Sequence, residues 1–66
     1  MEKTVFTNIY NEETPEEAAK RIMTNEKVQF KYSGVKLETM NNRPVIIKYT
    51  GKYFDGDPEI SITFHI

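Results

Sequence analysis

Asp55, Asp57 and Glu59 alternate around a glycine in the run Tyr53-Phe54-Asp55-Gly56-Asp57-Pro58-Glu59, which places three oxygen donors where a cation could be held. A calcium loop needs about six to eight oxygen ligands on a longer, flexible span. Three acids on a short path stiffened by Pro58 supply too few, whereas Asp-Gly between two apolar runs is a strong hairpin signal. The stretch is therefore expected to be a turn, and no metal ligand is assigned.

Nucleophilic chemistry has little to work with. His65 is the only histidine and, with Ser61 and Thr63, is expected on an outward strand face. Four residues along a strand separate Ser61 from His65 by ~13 Å, too far for a base to activate a hydroxyl. The chain has no cysteine, no glycine-rich phosphate loop and no His/Asp metal spacing. The expectation is a non-enzymatic protein with no cofactor.

Charge is unevenly spread. Residues 1–26 sum to −3, residues 27–53 to +5 and residues 54–66 to −3, for a net charge of −1. The basic middle raises nucleic-acid binding, because single-strand binders set aromatic platforms beside a basic track. Strand alternation opposes that arrangement here. Lys27, Lys31, Lys36, Lys48 and Lys52 fall on one face, and Phe30, Tyr32, Tyr49 and Tyr53 on the other. The lysines read first as a solubilising outer face, with a phosphate-contacting surface as the alternative.

Contact with a protein partner is the reading that remains. Glu16 and Glu17 serve the start of a helix, which leaves Glu12 and Glu13 as the acids available for contact. Tyr32, Tyr53 and Phe54 are the aromatic candidates, since tyrosine joins a large apolar area to a polar tip.

The elements that must position these groups are legible in outline. "KTVFTNIY" is rich in β-formers. Thr14-Pro15-Glu16-Glu17 is a capping box with proline at the first helical position, and Ala18, Ala19, Ile22 and Met23 make one apolar stripe ending near Asn25. From Lys27 the period becomes two, and a turn at Ser33-Gly34 would set Tyr32 opposite Val35 and Phe30 opposite Leu37. A second hairpin follows, from "PVIIKYTGKYF" to "EISITFHI". Its Asp55-Gly56 turn, with two or four loop residues, keeps Val45, Ile47, Tyr49 and Tyr53 on one face with Ile60, Ile62, Phe64 and Ile66.

The predicted fold is a single α+β domain over residues 1–66, in the order β-α-β-β-β-β, with one short helix on an antiparallel sheet. Four hairpin strands span roughly 15–20 Å, and a helix roughly 10 Å across cannot cover them. The surplus predicts a curled sheet, a homodimer or a docking patch. "ISITFHI" has no full charge and is an aggregation hazard at an open edge, so it is expected either at the centre of the sheet or paired with another chain. No apolar run approaches the ~18 residues of a membrane span and no signal peptide opens the chain. Together with Met1 and the absence of cysteine, this predicts a complete, cytoplasmic reading frame with no membrane partner.

Overall fold

The computed structural model describes all 66 residues. The chain runs β1 (Glu2–Asn8), α1 (Pro15–Asn25), β2 (Phe30–Ser33), β3 (Lys36–Thr39), β4 (Ile46–Phe54) and β5 (Asp57–His65). The strands form a three-stranded antiparallel sheet in the order β1-β5-β4 and a separate β2-β3 hairpin. The uncharged segment from Ile60 to Phe64 thus lies in the central strand, where both of its backbone edges are paired and its aggregation hazard is removed. Val5 and Ile47 both stand opposite Ile62, which sets the register across the sheet.

Helix α1 begins as its sequence requires. The Thr14 hydroxyl accepts from the Glu17 amide at 3.1 Å, and the Glu17 carboxylate accepts from the Thr14 amide at 2.8 Å. The helix ends in a Schellman motif. The Lys27 amide donates to the Thr24 carbonyl at 3.0 Å and the Val28 amide to the Met23 carbonyl at 2.8 Å, with Lys27 in the left-handed region at φ 61°. This corrects the expectation for Lys27: it closes the helix instead of opening a strand, and the next strand starts at Phe30.

One face of the three-stranded sheet meets the helix. Ile60, Ile62 and Phe64 are buried there against Ala18, Ala19 and Met23, with Ile9 and Leu37 completing the core. The two alanines bring the helix backbone close, so the longer β5 side chains fill the space between the layers. Val5, Ile22, Val28, Phe30, Val45 and Ile47 form a half-buried margin.

Both hairpins depart from the expected detail. The first turns at Gly34-Val35, pairing Ser33 with Lys36 and Tyr32 with Leu37. Gly34, at φ 68°, takes the first central position of the turn, where glycine is the residue of choice in type II′ hairpins. Val35 is therefore a turn residue, 93% exposed, not an inner-face one. The two-residue shift preserves side-chain parity, so Phe30, Tyr32, Leu37 and Thr39 still share a face. Thr39 is buried at 2% exposure and satisfied by the backbone of Arg43 across the Met40–Asn42 loop. Ile66, also expected inside, is an exposed terminus whose amide donates to the Met1 carbonyl at 2.8 Å.

The second hairpin turns on two residues, Asp55 at φ 52° and Gly56 at φ 83°, the positive pair of a type I′ turn. Tyr53 pairs with Pro58, yet Tyr49 pairs with Ile60, so Thr50, Gly51 and Lys52 together oppose Glu59. The Thr50 hydroxyl donates to the Glu59 carboxylate at 2.7 Å within this bulge. Two extra residues again preserve parity. The backbones of the two sheets are joined at the Glu38–Pro44 bridge and by a 3.0 Å bond from the Val45 amide to the Leu37 carbonyl, while Leu37 and Phe30 join them through the core.

Candidate functional site

β1 stops pairing at Asn8 opposite Glu59, and the Ile9 amide adds one further bond, 2.9 Å to the Pro58 carbonyl. Beyond that point β4 and β5 continue as a two-stranded arm capped by Asp55-Gly56. The Lys3–Glu26 ion pair sets the C-terminal end of α1 beside the end of β5 away from the turn, and an 11-residue helix is ~16 Å long against ~30 Å for a nine-residue strand, so α1 stops short of the hairpin tip. Tyr53 and Phe54 are accordingly 71% and 70% exposed. Being consecutive, they present aromatic surface on opposite sides of the arm. Tyr49, on the same face as Tyr53 by register, is also exposed and extends the aromatic surface towards the body.

The other aromatic candidate lies elsewhere. Tyr32 is half exposed on the β2-β3 hairpin, with the Lys20 ammonium 5.0 Å from its ring centroid. That cation–π contact ties the hairpin to the helix and takes up part of the ring. Tyr32 and the arm do not form one surface patch through any strand pairing.

Glu12 and Glu13 separate in role. Glu12 is exposed. Glu13 is held by Arg21 in a bidentate pair, Nε to Oε2 at 2.9 Å and Nη2 to Oε1 at 3.0 Å, and it accepts the Tyr10 amide at 3.0 Å. Arg21 also donates to the Asn8 carbonyl at 3.0 Å and the Thr7 hydroxyl at 3.3 Å, and lies 4.9 Å from the Tyr10 ring centroid. Arg21 thereby fixes the β1–α1 connection. Hydrogen bonds from its guanidinium hold the Glu13 carboxyl below the usual carboxylate range, and Glu13 in turn raises the Arg21 pKa. The sequence carries a signal for this pair only in its charges: Glu13 and Arg21 are eight apart, with a loop and a helix start between them.

The five lysines do not share one pleated face. Lys27 closes the helix, Lys31 and Lys36 belong to the β2-β3 hairpin, Lys48 stands opposite Ser61 in the main sheet, and Lys52 lies in the bulge. Lys31 is further drawn to the Asn42 side chain by a hydrogen bond. The expected track is thus divided between two sheets and a helix end.

Two open grooves complete the surface. One, of about 380 Å³, lies at the helix C-terminus among Lys3, Lys27, Thr39, Met40 and His65, and the Lys3–Glu26 ion pair stands at its wall. The other, of about 440 Å³, runs between β3 and β4 along Leu37, Pro44, Val45 and Ile47, with Glu16 and Lys36 at its rim. No helix is long and apolar enough to cross a membrane. Comparisons with protein-family models, curated proteins and solved structures return no match to this chain.

Proposed function

We propose that this is a small non-enzymatic binding protein, acting as an inhibitor or adaptor by occupying a protein partner through its β4–β5 arm. The observation that carries the reading is the exposure of Tyr53 and Phe54 at the tip of a rigidly turned hairpin, beyond the reach of the helix. Fully covering an aromatic side chain removes about 150–250 Å² from water, so these two with Tyr49 supply an apolar anchor on a preorganised support. Tyr32 and Glu12 are secondary contact candidates, whereas the Glu13 carboxylate is already engaged by Arg21. The division of the lysines between separate elements lowers the rank of the nucleic-acid reading.

The test is affinity capture of the tagged chain from its native host extract, with and without nuclease, beside Tyr53→Ser/Phe54→Ser. The expected result is one dominant partner retained after nuclease and reduced at least ~10-fold by the double variant, the scale on which aromatic hot spots act. Recovery that collapses with nuclease returns the weight to the lysines. Undiminished capture by a folded double variant rejects the arm.

A further inference from the structure

The charges around the arm specify the chemistry of what it meets. Between Thr50 and Glu59 the chain carries one basic residue, Lys52, against Asp55, Asp57 and Glu59, a local charge of −2. The molecule's two salt bridges, Lys3–Glu26 and Glu13–Arg21, use neither Asp55 nor Asp57. Because Ile9 bonds to Pro58, Tyr10 and Glu12 leave the sheet at this same end, and Glu12 is also free of any salt bridge. The exposed aromatics therefore stand among carboxylates that have no cationic partner within the molecule.

Resting on the protein-binding reading above, we infer that the arm seats in an apolar cleft of a protein whose rim carries lysine or arginine. Tyr53 and Phe54 enter the cleft, and Asp55 and Asp57 meet its basic rim. Nucleic acids and anionic membranes are repelled by the same carboxylates. A second copy meeting tip to tip would oppose like charges. A second copy adding strand to strand along β4 meets Lys48, Lys52 and the Thr50–Lys52 bulge, devices that keep an edge strand unpaired.

The test is NMR titration of the isotope-labelled full chain with a synthetic peptide alternating arginine and leucine, beside poly-lysine and a single-stranded oligonucleotide. The expected result is that the arginine–leucine peptide perturbs the amides of Lys52–Asp57 and Tyr10–Glu12, binds more tightly than poly-lysine, and loses affinity as salt rises. Asp55→Asn/Asp57→Asn should weaken it about 10-fold, since two desolvated rim pairs together amount to roughly 1.4 kcal/mol. Asparagine tolerates the positive φ at position 55, so the turn survives the change. Poly-lysine binding as tightly as the peptide, shifts centred elsewhere, preference for the oligonucleotide, or no shifts at millimolar peptide each overturn the inference. Capture from extract separates the two levels. If Tyr53→Ser/Phe54→Ser abolishes capture while Asp55→Asn/Asp57→Asn preserves it, the arm docks but its cleft is not basic. If neither variant changes capture, both readings fall.

Discussion

β5 and its hairpin partner β4 are equally long, and both place an apolar set on the same sheet face, yet their fates differ. Ile60, Ile62 and Phe64 are sealed against the helix, Phe64 to 1% exposure, while Tyr49 and Tyr53 on β4 stay in solvent. Alternation decides which side of the sheet a residue takes. Depth is decided by what lies over that side, and α1 packs over the central strand, with Val5 and Ile47 on its neighbours only partly covered. The difference teaches that a regular inner-face pattern holds two populations here, a core and an aromatic surplus, which periodicity does not separate.

Substitutions on the two sides sharpen that contrast. Phe64→Ala should cost about 3–5 kcal/mol, a large share of what a 66-residue domain possesses, and leave the chain mostly unfolded by urea titration and circular dichroism. Tyr53→Ser/Phe54→Ser removes two aromatics and should move stability by no more than about 0.5 kcal/mol per site. A comparable loss at the arm would mean that it packs on the body in solution, and the contrast would collapse.

An intermediate effect is expected where the body meets the connection beneath the arm. Arg21→Ala should cost about 1–2 kcal/mol, kept small because the arginine side chain is a third exposed and screened by water. The pair also predicts a pH signature. Glu13 titrates lower folded than unfolded, so its contribution is present in full above the ordinary carboxylate range and is lost as pH falls through the folded value. Unfolding measured at pH 7 and pH 3 should show a larger acid loss in the wild type than in Arg21→Ala. Equal losses would remove Arg21 as the clamp.

The smallest effect should be a gain. Lys27 holds a left-handed conformation that glycine adopts freely, so Lys27→Gly should stabilise the helix end by up to ~1 kcal/mol, read as a raised midpoint in urea. A loss there would mean that the lysine side chain contributes contacts outweighing its backbone strain.

Much of the fold was legible because it is written in short-range physics. The Thr14–Glu17 capping box, the switch to period two, the Asp55-Gly56 turn and the central place of β5 each follow from a few adjacent residues. The details that moved were those with near-equal local alternatives. Ser33-Gly34 and Gly34-Val35 both offer a two-residue turn, and the chosen one places Gly34 at the position that needs positive φ. The Thr50–Lys52 bulge was hidden because adding two residues leaves every face unchanged. At the candidate site, Tyr53 and Phe54 were readable as surplus apolar residues beside a turn, while the engagement of Glu13 by Arg21 was not.

By itself, the sequence determined the element types, the faces of the strands and the chemistry available at the surface, because capping, periodicity and turn geometry act over a few residues. Tertiary structure alone decided that the strands divide into two sheets, that the lysines do not share one face, and that the hairpin outruns its helix. Those outcomes depend on how an 11-residue helix and a nine-residue strand are laid across one another, a relation between segments that no local pattern contains.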